Sequence, residues 1–343
     1  MNLAAQFIIL TLTSFSLVGI LTPIMRKIAL KIHFLDKPNP LHKTHNEPIP
    51  YLGGVAIILG VCITIFLALI TQLHTRNEIG LAISLLIPAL VLGLIGLIDD
   101  YASLTPLTRF TFQTLAGVYS AALLILSDSV GNPTNNSILD AAITVFWVVG
   151  ITNSINFFDN LDGGAAGAVA ATSLGLFLIA HQTGQYLIAA TSVTIFGSML
   201  GFLLWNKSPA KIYMGDAGAL FLGILISVLT IRLDPDVKSQ TLSLSIPVLL
   251  LAVPILDTSV AVTSRIRRRV SIFQGGRDHL SHRLIRSGLS KKQAALFLWT
   301  LCGVFVGFAT LLATSSHNFT SMLLLAGVTW LCLFGAFLKL DDA

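Results

Sequence analysis

Charged side chains are scarce in this chain. Only 11% of its 343 residues are Asp, Glu, Lys or Arg, whereas 54% are hydrophobic and the mean hydropathy is +0.83. Soluble domains carry about 25% charged residues. No polar stretch is long enough to fold as a separate soluble domain, because the longest are residues 31–50 and 265–293. We therefore predict an all-α, polytopic integral membrane protein with one domain, residues 1–343.

Cysteine is also scarce, and its spacing excludes the usual cysteine chemistry. Cys62, Cys302 and Cys332 each fall inside an apolar run, and none belongs to a C-x-x-C pair. We expect buried free thiols, with neither a disulfide nor a metal site. The first apolar run, residues 3–25, has no basic residue before it and no A-x-A cleavage site. We expect it to remain as the first span and not to be removed as a signal peptide.

Long apolar runs dominate what is present. A helix needs about 20 apolar residues to cross the hydrocarbon of a bilayer. Eleven such runs occur, at residues 3–25, 52–71, 80–98, 109–127, 138–155, 164–181, 185–205, 215–231, 242–263, 293–314 and 320–338. Pro247 and Pro254 in the ninth run each remove a helical hydrogen bond. We expect this span to be bent or broken.

The distribution of Lys and Arg predicts the orientation of these spans. With the N-terminus outside, the odd-numbered loops and the tail are cytoplasmic and carry 18 of the 21 basic residues. Arg76, Arg232 and Lys238 are the three left outside. Cytoplasmic loops carry an excess of Lys and Arg. The C-terminus is therefore predicted to be cytoplasmic.

Four unusual polar clusters follow the third, fifth, seventh and ninth spans. They are "GLIDD" ending at Asp100, "NFFDNLDGG" at 156–164, "KIYMGDAGALFLG" at 211–223 and "GGRDHLSHRL" at 275–284. All four fall on the predicted cytoplasmic face, where the ends of several helices can converge on one site. We predict catalytic loops at about 26–51, 99–109, 156–163, 206–216 and 265–293.

Two adjacent carboxylates, Asp99 and Asp100, end the third apolar run. A charged side chain inside the membrane costs about 2.5 to 3.5 kcal/mol, and only Arg109, ten residues on, could neutralise the pair locally. Two solvated residues at a helix end are the simpler alternative for this pair. A bound cation would instead favour a functional role for the pair.

The stretch "NFFDNLDGGAAG" is acidic and has no Lys or Arg beside it. Asn156, Asp159, Asn160 and Asp162 supply oxygen ligands and amides, and the glycines permit close backbone approach. An alternative role for Asp162 is that of a helix N-cap. That alternative leaves Asn156 and Asp159 unexplained, because a carboxylate at the end of the preceding helix meets the unfavourable pole of the helix dipole. We therefore favour a ligand-binding role.

The third cluster adds Asp216 before another apolar run, where capping is again an alternative. Several carboxylate-bearing loops on one face suit a hard divalent cation. Mg²⁺ takes one or two carboxylates and completes its shell with water and phosphate oxygens.

The fourth loop supplies positive charge. We interpret Arg265 to Arg269 as an anchor against anionic lipid. Arg277, Asp278, His279 and His282 differ, because an anchor does not need histidines. The two histidines are three residues apart and would share one helix face. Two imidazoles without a cysteine or a third histidine fall short of a zinc site.

Acidic loops beside a loop of arginine and histidine at a membrane surface suit phosphoryl transfer between a nucleotide and a lipid phosphate. Two anionic phosphates cannot approach until a metal and cationic groups neutralise them. An ion-coupled secondary transporter is the alternative, but transporters place ionisable residues near the bilayer midplane, between repeated halves. Here the aspartates lie at span ends, and no repeat relates the halves. A binding-only scaffold would explain neither the aspartate pair nor the histidines.

The motifs "GLIDD", "NFFDNLDGGAAG", "YMGDAGALFLG", "PILDT" and "DHLSHRL" resemble those of the polyprenyl-phosphate N-acetylhexosamine-1-phosphate transferases. The likeness runs from "KTHNEPIPYLGG" (43–54) to His282. The resemblance implies transfer of a sugar 1-phosphate from a UDP-N-acetylhexosamine to undecaprenyl phosphate, with release of UMP and with Mg²⁺ or Mn²⁺ as cofactor. It also implies a bacterial plasma membrane location with the active site facing the cytoplasm. A homodimer stays open, and no nucleic-acid partner is expected.

Carried over position by position, the resemblance implies three groups of site residues. The catalytic group is Asp99, Asp100, His279 and His282, with one of the two aspartates as a base. The metal ligands are Asp216 and Asp100. The substrate-binding group is Lys43, His45, Asn156, Asp159, Asn160, Asp162 and Arg277.

The chain departs from the family at the histidine motif, where Leu280 and Ser281 stand between His279 and His282 and no third imidazole is present. The branch that uses UDP-MurNAc-pentapeptide has three consecutive histidines after Pro-Ile, so the branch that transfers N-acetylglucosamine 1-phosphate fits better. The resemblance also implies that the bent ninth span borders a groove for the lipid tail, with Asp257 outside direct substrate contact. One-step transfer and a covalent aspartyl intermediate both remain open.

Overall fold

A computed structural model describes residues 2–36, 48–71, 76–131, 133–237, 239–272, 276–314 and 319–340. Nearly all of this is helix. The helices are α1 (Leu3–Lys31), α2 (Gly53–Thr71), α3 (Arg76–Ala102), α4 (Pro106–Leu126), α5 (Ser137–Phe158), α6 (Gly164–Gln182), α7 (Tyr186–Asn206), α8 (Gly215–Arg232), α9 (Gln240–Leu250), α10 (Ala252–Arg267), α11 (Leu280–Arg286), α12 (Lys291–Thr314) and α13 (Phe319–Lys339). The strands β1 (Leu35–Asp36) and β2 (Ile49–Pro50) pair antiparallel.

The predicted spans agree closely with these helices. Within the described residues, ten helices are long and apolar enough to cross a membrane, and the bent pair α9–α10 makes an eleventh span. The all-α, multi-pass architecture is therefore confirmed. The side of the membrane on which each terminus lies stays a prediction.

The ninth span is broken where its prolines predict. The axes of α9 and α10 meet at 75° across Leu251. Pro254 has no N–H to donate to the carbonyl of Leu250, four residues earlier. The hydroxyl of Thr172 on α6 donates to that oxygen instead, at 2.8 Å. The carbonyl freed by the proline therefore has a partner, and the break is stable inside the bundle.

Helix α8 lies at the centre of the bundle and is buried along almost its whole length. It packs against α2, α3 and α5. A Cβ atom on Gly54 of α2 would lie 2.2 Å from the backbone nitrogen of Gly218, and one on Gly96 of α3 would lie 2.3 Å from the carbonyl oxygen of Asp216. Only glycine allows this approach, which brings the start of α8 beside the end of α3.

The cysteines are free, as expected, but they are not all buried. Cys302 is buried, Cys62 is partly buried and Cys332 is exposed. The prediction of burial is wrong for Cys332, because α13 buries only a narrow side and most of its surface is open. An apolar run predicts a membrane span but not which of its faces meets protein.

We predict that Gly54→Ala lowers the thermal unfolding midpoint in detergent, since overpacking against a backbone atom costs about 1 to 3 kcal/mol. Gly307→Ala in α12 is the matched control, because a Cβ atom there meets nothing within 4 Å. Equal midpoints for the two variants would show that close backbone contact does not fix α8.

Candidate active site

The carboxylate of Asp100 joins α3 to the start of α8. Its Oδ1 accepts a hydrogen bond from the backbone N–H of Asp216 at 2.8 Å, and its Oδ2 accepts one from that of Ala217 at 3.1 Å. The first N–H groups of a helix have no partner within the helix and carry its partial positive charge. Asp100 therefore satisfies two of them and is itself stabilised there.

Arg109 lies between two further carboxylates. Its Nη1 is 2.9 Å from Oδ2 of Asp99 and 3.5 Å from Oδ2 of Asp216. Asp99 is buried and also accepts the backbone N–H of Leu104 at 2.6 Å. Asp216 accepts the side-chain amide of Asn156 at 2.6 Å. Arg109, the one residue near in sequence that could neutralise the aspartate pair, is therefore ion-paired with Asp99 and also contacts Asp216.

Asp159 completes the acidic cluster. Burial, with Asp216 and Asp100 nearby, raises the pKa of its carboxyl well above the usual range. Among the described residues no hydrogen bond reaches this carboxylate, and the only cation within 4 Å of the cluster is Arg109. The cluster therefore brings several carboxyl groups around one guanidinium, and a cation or a cationic complex would favour their ionised forms.

The acidic loop, residues 159–163, is fixed by contacts with α7, α12 and the segment after α7. The backbone N–H of Gly163 donates to Asn206 at 3.0 Å, and the indole of Trp299 donates to the carbonyl of Gly163 at 3.1 Å. Asp162 accepts the backbone N–H of Ala210 at 3.2 Å. The alternative of Asp162 as an N-cap is wrong, because Gly163, with φ of 71°, holds that position in α6.

Two tyrosines that were not singled out from the sequence border the acidic cluster. The rings of Tyr51 and Tyr213 lie 6.4 Å apart. Burial, followed by the charges of Asp100 and Asp216, raises the pKa of Tyr51, and burial with Asp162 raises the pKa of Tyr213. Both phenols therefore stay protonated at neutral pH. Their positions inside the motifs "PYLGG" and "IYMGD" could have indicated these tyrosines from the sequence.

Both ring nitrogens of His279 are occupied. Its Nδ1 lies 2.7 Å from Oδ2 of Asp257, and its Nε2 lies 3.2 Å from Nη2 of Arg265. A carboxylate accepts and a guanidinium donates, so Nδ1 faces an acceptor and Nε2 faces a donor. His279 is therefore held in one orientation. Asp257 also accepts the backbone N–H of Leu280 at 2.7 Å, which agrees with its expected place outside direct substrate contact.

Arg265 is not a lipid anchor, contrary to the sequence-based interpretation. It is 2% exposed and donates Nε and Nη2 to Asp278 at 2.9 and 3.0 Å. Burial alone would raise the pKa of Asp278, but the hydrogen bonds and charge of Arg265 lower it. Arg268, which is half exposed, adds a 2.6 Å contact to the same carboxylate. The basic run from 265 to 269 therefore divides into a buried ion pair and exposed residues, and sequence alone gave no sign of that division.

His282 is the second imidazole of the motif and is 8% exposed. Its ring lies 6.2 Å from that of His279. Burial, and then the positive charge nearby, lowers the pKa of His282 to about 4. Among the described residues no hydrogen bond engages its ring nitrogens. His282 is therefore neutral at pH 7 and is the imidazole of this motif that remains available to a ligand.

The structure brings most of the predicted site residues together. Asn156 contacts Asp216, while the amide of Asn160 donates to the carbonyl of Phe157 at 2.5 Å and its Oδ1 faces the hydroxyl of Ser281. Arg277 is exposed. Lys43 and His45 lie outside the described residues.

The acidic cluster is the candidate magnesium site. No three Asp, Glu, His or Cys side chains in the described ranges close around one ion. Mg²⁺ needs only one or two protein carboxylates, and oxygen donors converge here. Oδ2 of Asp99 is buried and receives no hydrogen bond from the described residues, since Arg109 approaches it as an ion pair without hydrogen-bond geometry. The donor set fits Mg²⁺ with a shell completed by water or substrate.

We predict that the stability of the protein falls as pH is lowered from about 6.5 toward 4, partly through His282. In that interval an unfolded histidine, with a pKa of about 6.5, binds a proton that the folded one does not, so protonation favours unfolding. His282→Gln should therefore reduce the difference in thermal midpoint between pH 7.5 and pH 5. His181→Gln, at an exposed histidine of α6, should leave that difference unchanged. An undiminished difference in His282→Gln would contradict the assignment.

Comparisons with known proteins agree with this geometry. A family model described as "Glycosyl transferase family 4" matches residues 82–234. A probable undecaprenyl-phosphate N-acetylglucosaminyl 1-phosphate transferase of Bacillus subtilis is 32% identical over 98% of this chain and 89% of its own length. A decaprenyl-phosphate N-acetylglucosaminephosphotransferase of Mycobacterium leprae is 33% identical over 76% of this chain and 72% of its own. A phospho-N-acetylmuramoyl-pentapeptide-transferase of Streptococcus uberis is 30% identical over only 54% and 60%. The chain belongs to glycosyl transferase family 4.

Proposed function

We propose that this protein transfers N-acetylglucosamine 1-phosphate from UDP-N-acetylglucosamine to undecaprenyl phosphate and releases UMP. The observation that carries the proposal is the convergence of Asp99, Asp100, Asp159 and Asp216 beside Arg109 at one end of the bundle. Relatives matched over most of this chain are named for transfer of N-acetylglucosamine phosphate to a prenyl phosphate. The acidic site and these names point to the same chemistry.

A cavity beside the acidic cluster supports a prenyl phosphate as acceptor. Its volume is about 170 Å³. Its polar lining is Arg109, Gln113, Asn153 and Asn156. Its apolar lining includes Phe110, Phe157, Leu220 and Val262. A prenyl phosphate likewise has a polar phosphate and an apolar chain. Its phosphate would contact Arg109, and its first isoprene units would contact the apolar residues.

We propose Mg²⁺ as the cofactor, with Asp216 and Asp100 as ligands and Asp99 beside them. A bound Mg²⁺ would supply positive charge that neutralises the donor diphosphate as the phosphoryl bond to UMP breaks. Arg109 would bind the acceptor phosphate and hold it toward the donor. One of the two adjacent aspartates, Asp99 or Asp100, would act as the base that takes a proton from that phosphate.

The histidine motif would bind the UDP-sugar donor. The ring nitrogens of His282 have no hydrogen bond to the described residues, and His279 is held between Asp257 and Arg265. We therefore propose that His282 contacts the donor phosphate or sugar and that His279 positions the motif. The bias of basic residues supports a site facing the cytoplasm of a bacterial plasma membrane, where a soluble UDP-sugar is available.

Transfer of phospho-MurNAc-pentapeptide is the second candidate within the family. The relative of that name matches only 54% of this chain, and the chain has Leu280 and Ser281 where that branch has consecutive histidines. An ion-coupled transporter would leave the family membership unexplained.

Purified protein in detergent should release UMP and form a lipid product from undecaprenyl phosphate, Mg²⁺ and UDP-N-acetylglucosamine, and not from UDP-MurNAc-pentapeptide. We expect Asp216→Asn to lower kcat by about 100-fold or more, the size typical of losing one charge-stabilising group. Chelation of divalent cations should abolish turnover.

Asp128→Asn is the matched control, because Asp128 is exposed in the turn after α4, where φ is 49° and asparagine is equally suited. It should retain full activity. Turnover with the pentapeptide donor alone would favour the second candidate. No turnover with either donor, in folded protein, would overturn the proposal.

A further inference from the structure

Helix α11 and the acidic loop meet through a pair of side chains. The hydroxyl of Ser281 donates to Oδ1 of Asn160, and Ser281 is only 2% exposed. The amide nitrogen of Asn160 donates to the carbonyl of Phe157 at 2.5 Å. Both ends of the Asn160 amide are therefore used inside the protein, which disfavours its expected role as a direct substrate contact.

The pair stands between two groups of the proposed site. Asn160 directly follows Asp159, and Ser281 directly precedes His282. The ring of Phe157 lies 5.8 Å from that of His279 and 5.4 Å from the guanidinium carbon of Arg265. The hydrogen bond between Ser281 and Asn160 therefore lies where the acidic and histidine-bearing parts of the site join.

Helix α11 has only seven residues, so its position depends on its contacts with other elements. On one side, Asp257 accepts the backbone N–H of Leu280, and Arg283 donates to the carbonyls of Asp278 and Phe337. These contacts hold α11 to α10 and α13. Ser281 holds it to the acidic loop on the other side.

We propose that Ser281 is a positioning residue that, through Asn160, sets the separation between His282 and Asp159. This inference rests on the proposed function. Serine places its oxygen close to the backbone, so the bond draws α11 against the loop. A displacement of about 1 Å in a reacting group can cost roughly 100-fold in rate. The resembled family usually has a third imidazole here, and this chain joins the two segments with a short hydroxyl instead.

A double-mutant cycle tests the inference. We expect Ser281→Ala and Asn160→Ala each to lower kcat about 10-fold, with little change in KM for undecaprenyl phosphate. The double variant should be no slower than the slower single variant, because both remove one interaction. Ser281→Thr keeps the hydroxyl and should recover most of the rate. Ser287→Ala, at an exposed serine just after α11 whose hydroxyl donates to the carbonyl of Leu284, is the matched control and should behave as wild type.

Hydrogen exchange gives a second result that does not need activity. Peptides covering residues 156–165 should exchange faster in Ser281→Ala than in wild type or Ser287→Ala. Independent rate effects in the cycle, unchanged kinetics in Ser281→Ala, or unchanged exchange would each overturn the inference. Inactive wild-type protein would instead overturn the proposed function, and the exchange result would still decide whether Ser281 fixes the loop.

Discussion

The carboxylate of Asp100 at the N-terminus of α8 is the contact on which the site depends. It joins the end of α3 to the start of the buried central helix by accepting the N–H groups of Asp216 and Ala217. That contact needs α2, α3 and α8 to approach at the distances that Gly54 and Gly96 allow. The position of Asp216, the proposed metal ligand, follows from helix packing and not from a flexible loop.

Around this contact the charges are divided into two groups. Asp99, Asp100, Asp159 and Asp216 form a negative group with Arg109 as its cation among the described residues. In the other group the charge of Arg265 is largely neutralised by Asp278, and burial lowers the pKa of His282. The acidic group therefore favours binding of a cation, and the other group offers buried side chains that are already held in position. A complex of a metal ion with a diphosphate would suit both groups.

The sequence predicted the spans and the break near Pro254 because these depend on local composition. It predicted the convergence of the aspartates because their loops follow alternate spans and therefore share one face of the membrane. It did not predict the burial of Arg265 or the exposure of Cys332. Those properties depend on which face of a helix packs, and apolar runs without clear periodicity do not show it. The roles of Asp257 and Ser281 in orienting the histidine motif arise from contacts 22 and 121 residues apart, and no local pattern indicates them.

The burial of α8 has a consequence for how the protein is made. A helix that meets almost no lipid gains its stability from neighbouring helices, so it can settle only when α2, α3 and α5 are in place. Before that, Asp100 has no helix start to bond and Asp216 has no Asn156. The contacts that hold Asp100 and Asp216 are contacts between helices, so the acidic site cannot form before these helices have packed together.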